Sequence, residues 1–295
     1  MNKLFLFTLI FLSVFAQGAD KIKIGFNWKA EPEFGGFYAA QSAGLYAKNN
    51  LDVELIEGGA GTPVIQMVAS GKIDFGTVSA DEIVLARDHG QDLVAVYAVY
   101  QTAPYGIMVR ASKNFKTLKD LLNSGITLSI MQGLPLTEFL EKRFGLSKVK
   151  VVPYTGGITN FINDENFAQQ CFASSEPRLA EKQKIKTQTF LAADAGFNPY
   201  VTVLVTRAKF LKEKPDAAKR LINATRQGWG IYLKTPDAAN KLISKLNPTM
   251  DLETLKEMNK IETGFVTSAE TKKLGLGTMT QKRWEQIIDL MLELK

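Results

Sequence analysis

Two side chains used throughout enzyme chemistry are almost missing from this 295-residue sequence, which holds one cysteine and one histidine. The lone Cys171 cannot close an intrachain disulfide, so stability has to come from burying apolar surface. The lone His89 stands in an Asp88-His89-Gly90 turn. It leaves no imidazole cluster for zinc and no neighbouring base to activate a nucleophile. No GxSxG, HExxH, CxxC or dinucleotide fingerprint occurs. The formal net charge of +6 contains no basic run or arginine cluster, so nucleic acid is not an expected partner. There is no internal repeat, low-complexity segment or disordered linker. The expectation is a protein with no catalytic residue, no metal and no cofactor.

What is present begins with Lys3, an apolar run from Leu4 to Phe15, and small residues at Ala16, Gly18 and Ala19. That is the three-part layout of a secretory signal, expected over residues 1–19, and the run is too short to span a bilayer. With no cysteine near the cleavage region, a lipid anchor is not expected, and the mature chain should be a soluble periplasmic protein. At 45% hydrophobic residues, the remaining chain suffices for one large domain or two of ordinary size.

Short β-branched runs alternate with helical patterns. Strands are expected at Lys21 to Phe26, Val53 to Ile56, Phe75 to Val78, Leu93 to Val99, Ile107 to Val109, Thr127 to Ile130, Val149 to Val152, Thr187 to Leu191 and Val201 to Thr206. Thr62-Pro63 opens one helix with a first-turn proline, and Ser79 to Glu82 opens another with capping-box spacing. The alternation predicts an α/β fold of mostly parallel, helix-covered sheets. After Thr206 the pattern turns almost wholly helical, ending in a helix from about Thr280 to Leu294. Two segments suit crossings between domains, Tyr105 to Arg110 and Asn198 to Val203.

In an open α/β sheet, ligands sit at the carboxyl ends of the strands, which places Asn27 to Tyr38 at a candidate site. Trp28 can form an aromatic wall there, the rival reading being a core tryptophan. Glu33 can accept from a ligand amine or simply favour a helix start, and Tyr38 can touch a ligand or belong to the core. The loop Gly58 to Thr62 brings the backbone of Gly59 and Gly61 close to a ligand, or is a plain strand-to-helix turn. It lacks the ending of a nucleotide P-loop. Ser79 and Asp81 follow the strand Phe75 to Val78 on the same sheet edge, with Ser79 already used as a cap. Tyr154 to Gly157 repeats the aromatic-plus-glycine layout, so a ring from each half could sandwich a planar group. Ser175 reads as a cap before Pro177, and Cys171 as a small buried hydrophobe.

Several of these segments together resemble the solute-binding proteins of ABC importers. The branch includes thiamine-pyrimidine-precursor, riboflavin and alkanesulfonate binders and the related yeast pyrimidine synthases. The carrying residues are Asn27-Trp28, Pro32 to Gln41, Gly44 to Tyr46, Val68 to Gly76, Ala80 to Glu82 with Leu85 to Arg87, and Ser175 to Pro177 with Ala180. The resemblance implies a type II periplasmic-binding-protein fold: two lobes, 20–107 with 202–295 and 108–201, joined by two hinge crossings that include Tyr105 and Asn198. It also implies a small-molecule ligand, an ABC permease in the inner membrane as partner, and a monomer. It adds Phe34 and Glu176 to the site, Glu176 as acceptor for a ligand amine, beside Gly157 of the aromatic-plus-glycine segment and Cys171 as further candidate contacts. The cysteine-rich signature and essential histidine of the synthases are missing. Stacking plus carboxylates ranks an aminopyrimidine first, a flavin second and a sulfonate third.

Overall fold

The computed structural model describes residues 18–295, so the expected export signal lies outside the described residues except for Gly18 and Ala19. Ten strands are formed: β1 (Asp20–Gly25), β2 (Leu51–Ile56), β3 (Phe75–Val78), β4 (Leu93–Tyr100), β5 (Tyr105–Arg110), β6 (Thr127–Ile130), β7 (Lys150–Pro153), β8 (Phe167–Phe172), β9 (Thr187–Leu191) and β10 (Val201–Arg207). They make two five-stranded sheets, ordered β2-β1-β3-β10-β4 and β7-β6-β8-β5-β9. Each sheet has apolar cores on its faces, which is why β3 and β10 are buried along almost their whole length rather than alternately.

The sheets are less parallel than the alternation predicts. The pairs β1–β2, β1–β3, β6–β7 and β6–β8 are parallel, whereas β10 runs antiparallel to β3 and β4, and β5 runs antiparallel to β8 and β9. The reason is topological. β5 and β10 are the strands through which the chain enters the other lobe, so they meet a sheet whose own βαβ units already run the opposite way.

This also moves the first crossing. Tyr105 to Arg110 is a full strand of the second sheet rather than a connection, so the chain changes lobes at 101–104, ahead of the boundary expected at residue 107. The second passage covers 192–200, and Val201 already belongs to the first sheet. Asn198 pins the two passages together: its Oδ1 accepts from the Ala103 amide at 2.8 Å and from Arg283 at 3.2 Å.

The Gly35-Gly36 pair has a packing reason. A Cβ on Gly35 would lie 2.1 Å from the Tyr232 ring and one on Gly36 would lie 2.2 Å from the Trp229 indole. Helix Gly35–Ser42 therefore sits directly on helix Pro215–Tyr232. The final helix, Gln281–Leu294, opens on Thr280, whose hydroxyl accepts from the Arg283 amide, and it touches both lobes. It packs on helix Ala80–Asp88 of the first and helix Pro135–Phe144 of the second. Ile287 and Met291 enter the first lobe's core, and Leu290 and Leu294 lie against the second's. No helix among the described residues is long and apolar enough to cross a membrane.

Candidate functional site in the cleft between the lobes

A cavity of about 360 Å³ lies between the lobes, at the carboxyl ends of β1, β3 and β6. From the first lobe it is lined by Asn27, Trp28, Glu31, Glu33, Gly61, Gln66, Ser79, Asp81 and Glu82, among others. From the second come Tyr105, Met131, Leu134 to Thr137, Tyr154, Gln170, Cys171, Phe172 and Glu176. A larger hollow of about 610 Å³ runs beside the C-terminal helix, but it is mostly aliphatic and lies away from these groups.

Local bonding explains the placement. The Gly58 amide donates to the Trp28 carbonyl at 2.9 Å, tying the turn after β1 to the end of β2. Asn27 is fixed by Thr77, whose hydroxyl donates to Asn27 Oδ1 at 3.0 Å. Trp28 then reaches across the cleft. Its ring lies 6.2 Å from that of Tyr154 with the planes 15° apart. That spacing is just short of the about 7 Å needed for a flat molecule to make a stacking contact on both sides. The Tyr154 loop accommodates the indole because residue 156 is glycine: a Cβ there would come to 3.0 Å from Trp28, at a φ of +87°. A second chamber of about 370 Å³ continues on the far side of this ring pair, sharing Trp28, Glu31, Tyr154 and Glu176.

Among the described residues five carboxylates line the first chamber, Glu31, Glu33, Asp81, Glu82 and Glu176, and no lysine, arginine or histidine does. Burial pushes Glu31, Glu33, Asp81 and Glu176 up. Glu31 rises to about 8, through desolvation and then the nearby Glu176, and Asp81 rises to about 7, through desolvation and then Glu82. Glu33 is driven well above the usual carboxylate range by burial, then by Glu31, Glu262 and Glu176. Glu262 stands behind Glu33 and is raised to about 7 by burial. Its oxygens accept from Tyr100 and from Ser174 of the second lobe.

These acids are not equivalent. Glu176 has both oxygens engaged, one by the Tyr154 hydroxyl and the other by the Phe172 amide at 2.8 Å. The resemblance casts it as the acceptor for a ligand amine; its bonds here instead hold Tyr154 in place. Glu82 completes the capping box, accepting from the Ser79 amide and hydroxyl. Glu31 accepts from the Ser175 hydroxyl at 3.1 Å, across the cleft. Glu33 Oε1 and Asp81 Oδ1, by contrast, are buried and have no protein partner.

Of the residues singled out from sequence, Asn27, Trp28, Glu33, Gly61, Ser79, Asp81, Tyr105, Tyr154, Cys171 and Glu176 come together on this cavity. Gly157 and Ser175 line the adjoining chamber. Ser175 stands at the helix N-cap as expected, but its hydroxyl crosses to Glu31 instead of capping its own helix. Four do not line either chamber. Phe34 is buried in the core, stacked on Phe26 at 4.2 Å. Tyr38, one helical turn on, packs edge-on against the same ring at 5.7 Å. Gly59 is turned into its own loop, where its amide donates to Thr62 Oγ1 at 2.8 Å, and Asn198 is occupied at the hinge. Cys171 is buried with its thiol pushed up by burial, which holds it neutral.

Sequence reasoning missed Glu31, Gln66, Met131, Leu134 to Thr137, Gln170 and Phe172. Glu31 carries a signal, the Glu31-Pro32-Glu33 pairing of two acids. Met131 follows β6 as Asn27 follows β1, so the strand-end rule that finds one applies to the other.

A family model described as NMT1/THI5 like matches residues 31–239. The chain belongs to the NMT1/THI5-like family. Its relatives include the riboflavin-binding protein RibY of Chloroflexus aurantiacus, 21% identical over 92% of this chain and 80% of that one. They also include the 4-amino-5-hydroxymethyl-2-methylpyrimidine phosphate synthase of Candida albicans, 24% identical over 81% and 76%. Among solved structures, the periplasmic aliphatic sulphonate binding protein SsuA of Escherichia coli superposes with a TM-score of 0.67, at 16% identity over 94% and 88% of the chains. The fold of this NMT1/THI5-like chain is that of the periplasmic binding proteins, and its structural neighbours include a ligand binding component of an ABC-type import system from Staphylococcus aureus.

Proposed function

We propose that this chain is the exported solute receptor of an ABC importer and that it captures a planar, amine-bearing heteroaromatic, foremost a thiamine pyrimidine precursor. The observation that carries this reading is the Trp28–Tyr154 pair, two near-parallel rings from opposite lobes at the mouth of an aromatic and acidic cavity. Tyr105 and Phe172, edge to face at 5.2 Å, supply further aromatic wall. Closure on the solute would bury it between the lobes and present a closed shape to the permease. A sulfonate is the poorer match, because no cationic side chain lines the cavity and the Gly58 to Thr62 loop spends its Gly59 amide internally.

A flavin is the second reading, favoured by one feature: the adjoining chamber of about 370 Å³ lets a longer molecule pass between the two rings. A synthase activity, suggested by the names of several relatives, finds little support in the lining, where the thiol is neutral and no lysine or histidine stands ready to react. Titration calorimetry of the mature chain with 4-amino-5-hydroxymethyl-2-methylpyrimidine and with riboflavin tests the ranking. Micromolar or tighter binding of the first, unchanged on incubation, is expected. Tight riboflavin binding alone would reverse the order, and chemical conversion of the pyrimidine would replace the receptor with an enzyme.

A further inference from the structure

Partner-free buried oxygens on the wall of a cavity point to the chemistry of its ligand. Glu33 and Asp81 are 6% and 3% exposed, both line the chamber, and each holds one oxygen that no protein group reaches. An orphaned buried acceptor is costly, and natural structures retain few of them without a reason. The surroundings supply no remedy. Glu31, Glu176 and Glu262 face Glu33, and Glu82 faces Asp81, while Tyr105 lies against the acids from the second lobe. Among the described residues two lysines line the adjoining chamber instead of this one, the exposed Lys29, which acts on Glu31, and Lys182, which is paired with Asp251. The rest of the wall includes four aromatic side chains, Trp28, Tyr105, Tyr154 and Phe172, and ring faces attract cations.

We infer that the solute is held as a cation, a heteroaromatic with a protonated or quaternary nitrogen, for which Glu33 and Asp81 are the counter-ions. This deepens the receptor reading and rests on it. It is more specific than the presence of an amine, since a neutral amine needs only acceptors, whereas this lining also disfavours neutral and anionic analogues relative to the cation. It carries a proton balance as well: the acids that hold protons in the empty cavity release them when the cation enters. Affinity for a permanently charged solute therefore increases as pH is raised through about 7, where Asp81 ionises.

The test uses the mature chain and an isosteric pair, 4-amino-1-methylquinolinium and neutral 1-methyl-4-quinolone, titrated at pH 5.5 and pH 8. Tighter binding of the cation by about tenfold or more at pH 8 is expected, with the preference shrinking at pH 5.5 and protons released to the buffer. Glu33→Gln and Asp81→Asn should each abolish most of the preference while retaining binding of the quinolone. Equal affinity for the two probes, or preference for the neutral one, overturns the inference and leaves the planar-solute receptor standing. Binding of neither probe, nor of the pyrimidine or riboflavin, overturns both.

Discussion

The two lobes put different chemistry into one cavity. From the first come the acids with unspent oxygens, Glu33 and Asp81, on turns that follow β1 and β3. From the second comes Glu176, whose oxygens are already committed to Tyr154 and to the Phe172 amide. The first lobe therefore supplies charge and the second supplies a rigid ring, although both present a carboxylate and an aromatic in sequence. What separates them is whether each acid has been satisfied by its own fold.

The largest effect that would sharpen this contrast is at Trp28. Trp28→Ala removes the wall that meets Tyr154, and a loss of affinity of more than tenfold is expected, about 1.4 kcal/mol or more. Because Trp28 is only half-buried, the melting temperature of the variant should barely move. A parallel collapse of both quantities in a titration and a thermal melt would mark the indole as core.

Glu176→Gln should behave differently. It retains an acceptor for one of its two donors and loses the charge-assisted bonds, so a stability loss of about 1–3 kcal/mol accompanies weaker binding. At about 2–4 °C per kcal/mol for a protein of this size, calorimetry resolves the shift. If Glu176→Gln lowered affinity with no thermal cost, the distinction between the lobes would fail and Glu176 would be a direct ligand.

The acids also fix the sign of a pH effect. Asp81 and Glu262 are raised to about 7 and Glu31 to about 8, above their unfolded values, so the folded state binds more protons than the unfolded one in between. Stability of the empty protein is fullest below the unfolded values, near pH 4 to 4.5, and declines as pH rises to about 8. Melting temperature at pH 8 should thus be lower than at pH 6. In Asp81→Asn the decline should flatten, making the variant more stable at pH 8 although it binds a cation less well. A melt that rose toward pH 8 would place ionised, paired carboxylates in the cavity. The smallest effect is expected from Gly156→Ala. At φ +87° the added Cβ costs about 1–2 kcal/mol and presses on Trp28, so affinity should drop a few-fold.

Much of this arrangement is legible in the amino-acid order alone. Strand ends follow from alternation, and they locate Trp28 and Asp81; an aromatic next to glycines locates Tyr154. The capping box at Ser79 is present as the Ser-x-x-Glu spacing implies. What is not legible is how local groups satisfy one another. Glu176 and Glu33 look alike in sequence, and only the fold brings Tyr154 and the Phe172 amide to the former. The neighbours of Phe34 and Tyr38 draw them toward the site, yet Phe26 and the helix Pro215–Tyr232 claim that face for the core. Strand β8 is only half visible, at Cys171-Phe172, because Gln169 and Gln170 interrupt its apolar pattern. Gln169 donates to the Gly157 carbonyl, and Gln170 accepts from the Met131 amide.

The last helix has a mechanical consequence. Gln281–Leu294 begins beside Asn198 at the second passage and then lies across helices of both halves, with Lys142 and Arg143 of the second reaching Glu293. Any swing of one half against the other must shear this lever, so the two passages alone do not define the axis of rotation. A chain shortened before Leu290 would lose these contacts with the second half, and a larger radius of gyration in small-angle scattering is the expected result.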